Sequence, residues 1–225
     1  MIPWQVLDRV RMPGSDQDLL LYQRGREFSI RVGGRELMNS RRHGSEDVLA
    51  DLACAKIAGH PRVRVLIGGL GMGYTLAAAL RQLRADSLVV VAELVPAVVA
   101  WNQGPLSVLA GHPLQDRRVI IRIEDVARIL KTEDKTFDAI LLDIDNGPED
   151  LIRKANDWHY TRAGLEAAFG ALRPGGVLAI WSTGSNRTFS RRLRRTGFEV
   201  EEVEARARGP RGGGHHMIWI ASRGS

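Results

Sequence analysis

One stretch limits what this chain can fold into more than any other. Residues Val63 to Glu93 read VRVLIGGLGMGYTLAAALRQLRADSLVVVAE. Val63, Val65, Leu66 and Ile67 make a β-branched-rich run of strand length. Gly68, Gly69, Gly71 and Gly73 follow at once, where a backbone can turn sharply and let another molecule approach it closely. Thr75 to Leu83 has helical composition, and Leu88 to Ala92 is a second buried-strand candidate closed by Glu93. That order predicts a β-α-β nucleotide-binding unit. Its glycines lie under the ligand, its helix N-terminus points toward it, and its acid takes a ribose hydroxyl.

The glycine spacing narrows the ligand. Gly69, Gly71 and Gly73 give G-x-G-x-G, whereas the dinucleotide fingerprint G-x-G-x-x-G would need its last glycine at Tyr74. Dinucleotide folds seat a pyrophosphate on that helix N-terminus. The tighter spacing resembles the first motif of S-adenosylmethionine-dependent enzymes, whose ligand carries no phosphate. Glu93 lies roughly 20 residues past the loop, where a ribose-binding acid is expected. A plain strand-to-helix turn is the competing reading of the glycines alone.

The 225 residues, 44% hydrophobic, suit one domain or a domain with a small appendage. The single cysteine, Cys54, excludes an internal disulfide and a cysteine-based zinc cluster. His215 and His216 are adjacent on a candidate strand and point to opposite faces, so they do not chelate one metal and no metal is expected. The N-terminus has no signal-peptide pattern and no apolar run approaches the ~20 residues of a membrane helix, so a cytoplasmic protein without a membrane partner is expected. A net charge of +6 raises nucleic-acid binding as a class. The basic residues are nearly all arginines spread along the chain, and the densest group, Arg191, Arg192, Arg194 and Arg195, reads first as a solvated helix face. Nucleic acid is therefore not the expected partner.

Residues 1–20 carry few signals, while Leu19 to Met38 alternates apolar and polar residues around Gly25 and Gly33-Gly34, predicting two or three antiparallel strands. Ser45 reads as the N-cap of a helix from Glu46 to about Ala58. Beyond Glu93, a helix is expected at Pro96 to Trp101, a strand at Arg118 to Ile123, a helix from Val126 and a strand at Phe137 to Leu142. A helix at Thr161 to Leu172, a strand at Val177 to Trp181 and a helix at Asn186 to Thr196 follow. Strands at Phe198 to Val203 and Met217 to Ala221, joined by a glycine-rich turn at Gly209 to Gly214, complete the series. The alternation predicts an α/β fold: a Rossmann-like, doubly wound sheet of about seven strands with an antiparallel edge hairpin, preceded by a small β element. The boundary is drawn at 1–44 for the β element and 45–225 for the nucleotide-binding domain.

Ligands of open α/β sheets bind outside the carboxyl ends of the strands, at the topological switch point. The strand-end residues are Gly69 to Gly73, Glu93, Glu124-Asp125 and Asp143 to Asp145. Glu93 is assigned the ribose hydroxyls, Glu124 or Asp125 the adenine amino group, and Asp143 the reacting centre. Helix capping competes for Glu124 and Asp125, and a turn role beside Gly147-Pro148 competes for Asp143 and Asp145.

VLIGGLGMGYTL, VVVAELVP, FDAILLDIDNGP and LRPGGVLAIW together resemble the spermidine synthase (aminopropyltransferase) family and its relatives among the S-adenosylmethionine-dependent enzymes. The resemblance covers most of residues 20–223. It implies a transferase that moves an aminopropyl group from decarboxylated S-adenosylmethionine to a di- or polyamine, commonly as a homodimer. In the family an acid-rich loop after the fourth strand supplies the aspartate that deprotonates the attacking amine. Asp143 matches the first acid of that loop and Gly147-Pro148 its closing pair, while Asp145 approximates the second acid. Glu46 resembles a family glutamate opening the helix before the core, and Trp158, His159 and Tyr160 are candidates for the aromatic substrate pocket, with core packing as their alternative.

One position departs from the family. Its glycine loop usually holds an aspartate for the donor's ammonium, and Met72 stands there. A neutral loop suits the carboxylate of S-adenosylmethionine itself, with Arg41 or Arg42 as partners. A methyltransferase using S-adenosylmethionine on a small amine stays open beside aminopropyl transfer, as does a nucleotide- or RNA-binding protein without catalysis.

Overall fold

The computed structural model describes residues 2–41, 43–143, 157–206 and 215–225. The alternating N-terminal segment folds into four antiparallel strands in sequential order: β1 (Gln5–Arg11), β2 (Asp18–Arg24), β3 (Glu27–Val32) and β4 (Arg35–Asn39). Gly33 and Gly34, at φ 55° and 81°, join β3 to β4 in a two-residue hairpin that only residues tolerant of positive φ can make. The sequence gives no sign of β1. Its side chains QVLDRVR are mostly exposed because it is an edge strand, held by pairing to β2 and not by an apolar face.

The second sheet has seven strands in the order β10-β11-β9-β8-β5-β6-β7. They are β5 (Arg64–Gly68), β6 (Leu88–Glu93), β7 (Val119–Ile123), β8 (Phe137–Leu142), β9 (Leu172–Ser182), β10 (Phe198–Arg206) and β11 (His215–Arg223). The five strands β7, β6, β5, β8 and β9 run parallel, and β11 and β10 pair antiparallel at the far edge. This is the expected α/β architecture, with the edge hairpin and the small N-terminal sheet. Seven helices accompany the strands among the described residues: α1 (Gly44–Lys56), α2 (Tyr74–Gln82), α3 (Pro96–Gln103), α4 (Val126–Thr132), α5 (Asp157–Tyr160), α6 (Arg162–Ala171) and α7 (Arg187–Thr196).

Alternation along the central strands divides the core into two layers. Val65, Ile67, Ala139 and Leu141 face α1, α2 and α3. Leu21, Phe28 and Ile30 of the small sheet join that same layer. Leu66, Ile140, Leu178 and Ile180 face α4, α6 and α7, with Trp219 and Phe189 packed edge to face. Because β5 pairs with β6 on one side and β8 on the other, the winding reverses beside it, and the switch point lies at the carboxyl ends of β5 and β8.

Two local differences have clear causes. β9 begins at Leu172, not at Val177. The Arg173-Pro174-Gly175-Gly176 stretch is carried as an irregularity in the pairing with β8, where Phe137 meets Leu172 and Ala139 meets Val177. α1 starts at Gly44 with His43 as N-cap, and Ser45 makes no cap.

Two glycines of α6 offer a paired test. A Cβ on Gly164 would collide with the Trp158 carbonyl of α5, whereas one on Gly170 would meet nothing. Gly164→Ala is expected to cost about 1–3 kcal/mol through backbone displacement. Gly170→Ala should be neutral or raise stability by up to about 1 kcal/mol. Urea or thermal melts of both variants decide it, and equal effects would show that α5 does not press on α6.

Candidate functional site at the carboxyl ends of β5, β6 and β8

The glycine loop leaves β5 through three left-handed residues: Gly69, Gly71 and Gly73, at φ 90°, 53° and 81°. Such angles, repeated at alternate positions, exclude side chains and expose the backbone N–H groups. Gly73 is the N-cap of α2, so the loop runs directly into a helix N-terminus. Glu93, only 7% exposed, accepts from the Leu70 N–H on Oε2 (2.9 Å) and from the Val95 N–H on Oε1 (2.8 Å). A buried carboxylate is tolerable on such terms, because charge-assisted bonds to backbone donors replace its water. Asn102 of α3 donates to the Gly71 carbonyl (2.8 Å) from the other side. Met38 of β4 lies over Gly71, where an added Cβ would come within 2.6 Å of its Cε. Met72 is buried in the apolar layer. The described loop therefore has no acid of its own.

Across β5, Asp143 follows the last residue of β8. Its N–H donates to the Gly68 carbonyl (3.1 Å), and its Oδ2 accepts from the Thr75 hydroxyl at the start of α2 (2.7 Å). Glu46 reaches the same place from α1. Burial, then the negative charge of Asp143, pushes its carboxyl up to about 8. The Ser45 hydroxyl lies 2.7 Å from Glu46 Oε2. Tyr74 closes this side: its hydroxyl donates to the Ser40 carbonyl (3.2 Å) and its ring stacks on His43 at 4.1 Å. Burial, with the charges of Glu46 and Asp47, pushes that phenol up to about 12. Asp47 is itself held by His43 and Arg81, both at 2.9 Å. Strand order thus places Glu93 and Asp143 on either side of the glycine loop, two strand spacings or about 10 Å apart. Glu46 and Asp143 form a carboxyl pair at one end.

The remaining candidates have other partners. Asp125 caps α4 by accepting from the Ala127 N–H (2.8 Å), and its half-exposed carboxylate lies 4.0 Å from His159 Nε2. Glu124 pairs with Arg122, which also reaches Glu133 at 3.4 Å. Trp158 packs on the layer of α4, α6 and α7 with the Lys131 ammonium 4.3 Å over its ring, and Tyr160 is buried edge-on to Phe189. That layer is on the opposite face of the sheet from α1, which carries Glu46. Burial depresses His159 to about 4, and among the described residues its Nδ1 has no hydrogen-bond partner. Asp145, Asn146, Gly147, Pro148 and Arg42 lie outside the described residues, and Arg41 pairs with Glu27 (3.1 Å). As site residues, Thr75, Tyr74 and Asn102 escaped the sequence reading, which took Ser45 for a helix cap. Only Thr75, the first hydroxyl after the last glycine, had a position that could have drawn attention. Among the described residues no group of three or more His, Cys, Asp or Glu could hold a metal ion, and no helix is long and apolar enough to cross a membrane.

The raised Glu46 carboxyl has a thermodynamic consequence with a definite sign. Between its ordinary value of 4.5 and about 8 the folded chain keeps a proton that the unfolded chain has lost. This contribution to stability is fully present below pH 4.5 and declines as pH rises toward 8. Glu46→Gln should therefore gain stability relative to the parent as pH rises through that window. Melts of both proteins across the window measure the difference, and a constant offset would contradict the burial of this acid.

No family model and no curated protein matches the sequence. Solved structures do match. The spermidine synthase of Thermotoga maritima aligns with a TM-score of 0.75 at 20% identity, over 98% of this chain and 73% of its own. A spermidine synthase in complex with the transition state analogue AdoDATO gives 0.75 at 19% identity over the same shares. A probable spermidine synthase from Corynebacterium glutamicum gives 0.64 at 15% identity, over 97% of this chain and 79% of its own. The chain has the spermidine synthase-like fold.

Proposed function

We propose that the protein transfers an aminopropyl group from decarboxylated S-adenosylmethionine to a di- or polyamine. The observation that carries this reading is the carboxyl pair Glu46 and Asp143, with Asp143 anchored by Thr75, set across the glycine loop from Glu93. Glu93 offers carboxylate oxygens suited to the ribose hydroxyls beside a loop of bare backbone. At the other end two acids suit a cationic amine. The amine nitrogen attacks the carbon bonded to the sulfonium. The C–N bond forms, the C–S bond breaks, and its electron pair leaves on sulfur as methylthioadenosine. The proton shed by the new ammonium passes to Asp143. A sulfonium is a good leaving group, so the protein's share is alignment and proton removal. The fold shared with the spermidine synthases, one of them bound to AdoDATO, supports the reading.

A second reading, methyl transfer from S-adenosylmethionine to a small amine, is favoured by the neutral glycine loop, in which Met72 belongs to the core. Calorimetric titration separates the two. Aminopropyl transfer expects tighter binding of the decarboxylated donor and release of methylthioadenosine. Methyl transfer expects the reverse preference and S-adenosylhomocysteine. Under either chemistry Asp143→Asn should lower kcat by about 10²- to 10⁴-fold while donor binding persists. Binding of NAD in place of both donors would overturn both readings.

A further inference from the structure

Behind the carboxyl pair lies a hydrogen-bonded chain that the reaction itself does not require. Ser45, 1% exposed, lies inside the first turn of α1, past its N-cap His43. Its Oγ lies 2.7 Å from Glu46 Oε2 and 2.9 Å from Nδ1 of His216, on β11. The His216 ring is half-buried, edge-on to Trp181 at 4.6 Å. A serine hydroxyl has one proton, so it donates to only one of these neighbours and must accept from the other. Two arrangements satisfy all three groups. With Glu46 ionised, His216 Nδ1–H donates to Ser45 and Ser45 donates to the carboxylate. With Glu46 protonated, the carboxyl donates to Ser45, Ser45 donates to Nδ1, and the imidazole proton moves to Nε2.

We infer that Ser45 and His216 are a proton outlet, carrying the proton received by the Asp143–Glu46 pair toward solvent. This deepens the proposed reaction and rests on it. The step balances as an exchange of three protons. Glu46 O–H gives its proton to Ser45 Oγ, Ser45 passes its own to Nδ1, and Nε2 releases one to water. The chain is then left in its ionised arrangement, and it is reset for the next proton when the imidazole exchanges its Nδ1 proton for one on Nε2 and the Ser45 hydroxyl turns back toward Nδ1. Asp143 alone would be a poor terminus, since it stays occupied until its proton leaves. The wire is buried at the serine and partly exposed at the imidazole, which gives it a direction. Other charged groups among the described residues bear on it. Asp143, Asp47 and Tyr74 bear on Glu46, and His43 and Arg81 hold Asp47. Burial, and after it the neighbouring His215, which pairs with Glu204 at 3.7 Å, lowers the affinity of His216 for a second proton, so His216 favours the neutral ring that a relay needs.

Nitrogen-15 NMR of the imidazole reads the tautomer without turnover. From about pH 6 to about pH 9 the His216 proton should move from Nε2 to Nδ1 as Glu46 ionises, and Glu46→Gln should abolish the exchange. In turnover, His216→Asn keeps a donor near Nδ1 but cannot relay, and Ser45→Ala cuts the wire in the middle. Each should lower kcat roughly tenfold to a hundredfold, at or below the range of a direct acid–base group, and change the pH–rate profile with donor affinity unchanged. Added imidazole should restore part of the rate in His216→Asn. A fixed tautomer across this range would overturn the outlet, as would parental pH–rate profiles in both variants. Failure of the parent protein to bind either sulfonium donor would instead sink the proposed reaction, while a Glu46-dependent tautomer exchange would leave the wire standing.

Discussion

The two backbone hydrogen bonds accepted by Glu93 constrain this site more than any other contact. The carboxylate is nearly inaccessible, and an unpaired charge there would cost several kcal/mol. By taking the Leu70 and Val95 N–H groups it ties the glycine loop after β5 to the turn after β6. The loop is thereby held in its left-handed path before any ligand arrives. Gly69 adds a direct backbone bond to Ala92. An acid suited to a ribose thus also acts as the clasp of the loop beside it.

The acid pair on the other side depends on a different kind of support. Glu46 and Asp143 are almost a hundred residues apart and meet because α1 packs against the sheet where β8 ends. Burial, and after it the charge of Asp143, penalises ionisation of Glu46, which therefore retains a proton. A group that binds a proton near neutrality and sits beside a second acid is suited to taking protons in turn. Its environment, more than its residue type, gives it that character.

Much of the fold was readable from pattern. The strand and helix alternation between Val63 and Trp181 gave the parallel sheet, because apolar runs of strand length separated by amphipathic segments have few other solutions. β1 was invisible, since an edge strand held by main-chain bonds leaves no apolar period. Among the candidates, Glu93 and Asp143 occupy the strand ends that the alternation placed them on. Glu124, Asp125 and Tyr160 took partners consistent with an ion pair, a helix cap and core packing. The cap at Asp125 and the packing of Tyr160 were visible beforehand, the ion pair of Glu124 was not, and position in a sequence does not say whether an acid after a strand serves the next helix or a ligand.

The sequence by itself determined which residues end the strands. It also set glycines at the turning positions of the loop among them and a neutral Met72 between two of those glycines, because residue identity, backbone dihedral preference and hydrophobic period are local properties. Only the tertiary structure decided which strand ends became neighbours and that Glu46 joined Asp143. It alone showed that Ser45 is a bridge to His216 and not a cap. Those outcomes depend on how α1, β8 and β11 pack, and packing between distant segments sets both the distances and the desolvation that give a carboxyl its chemistry.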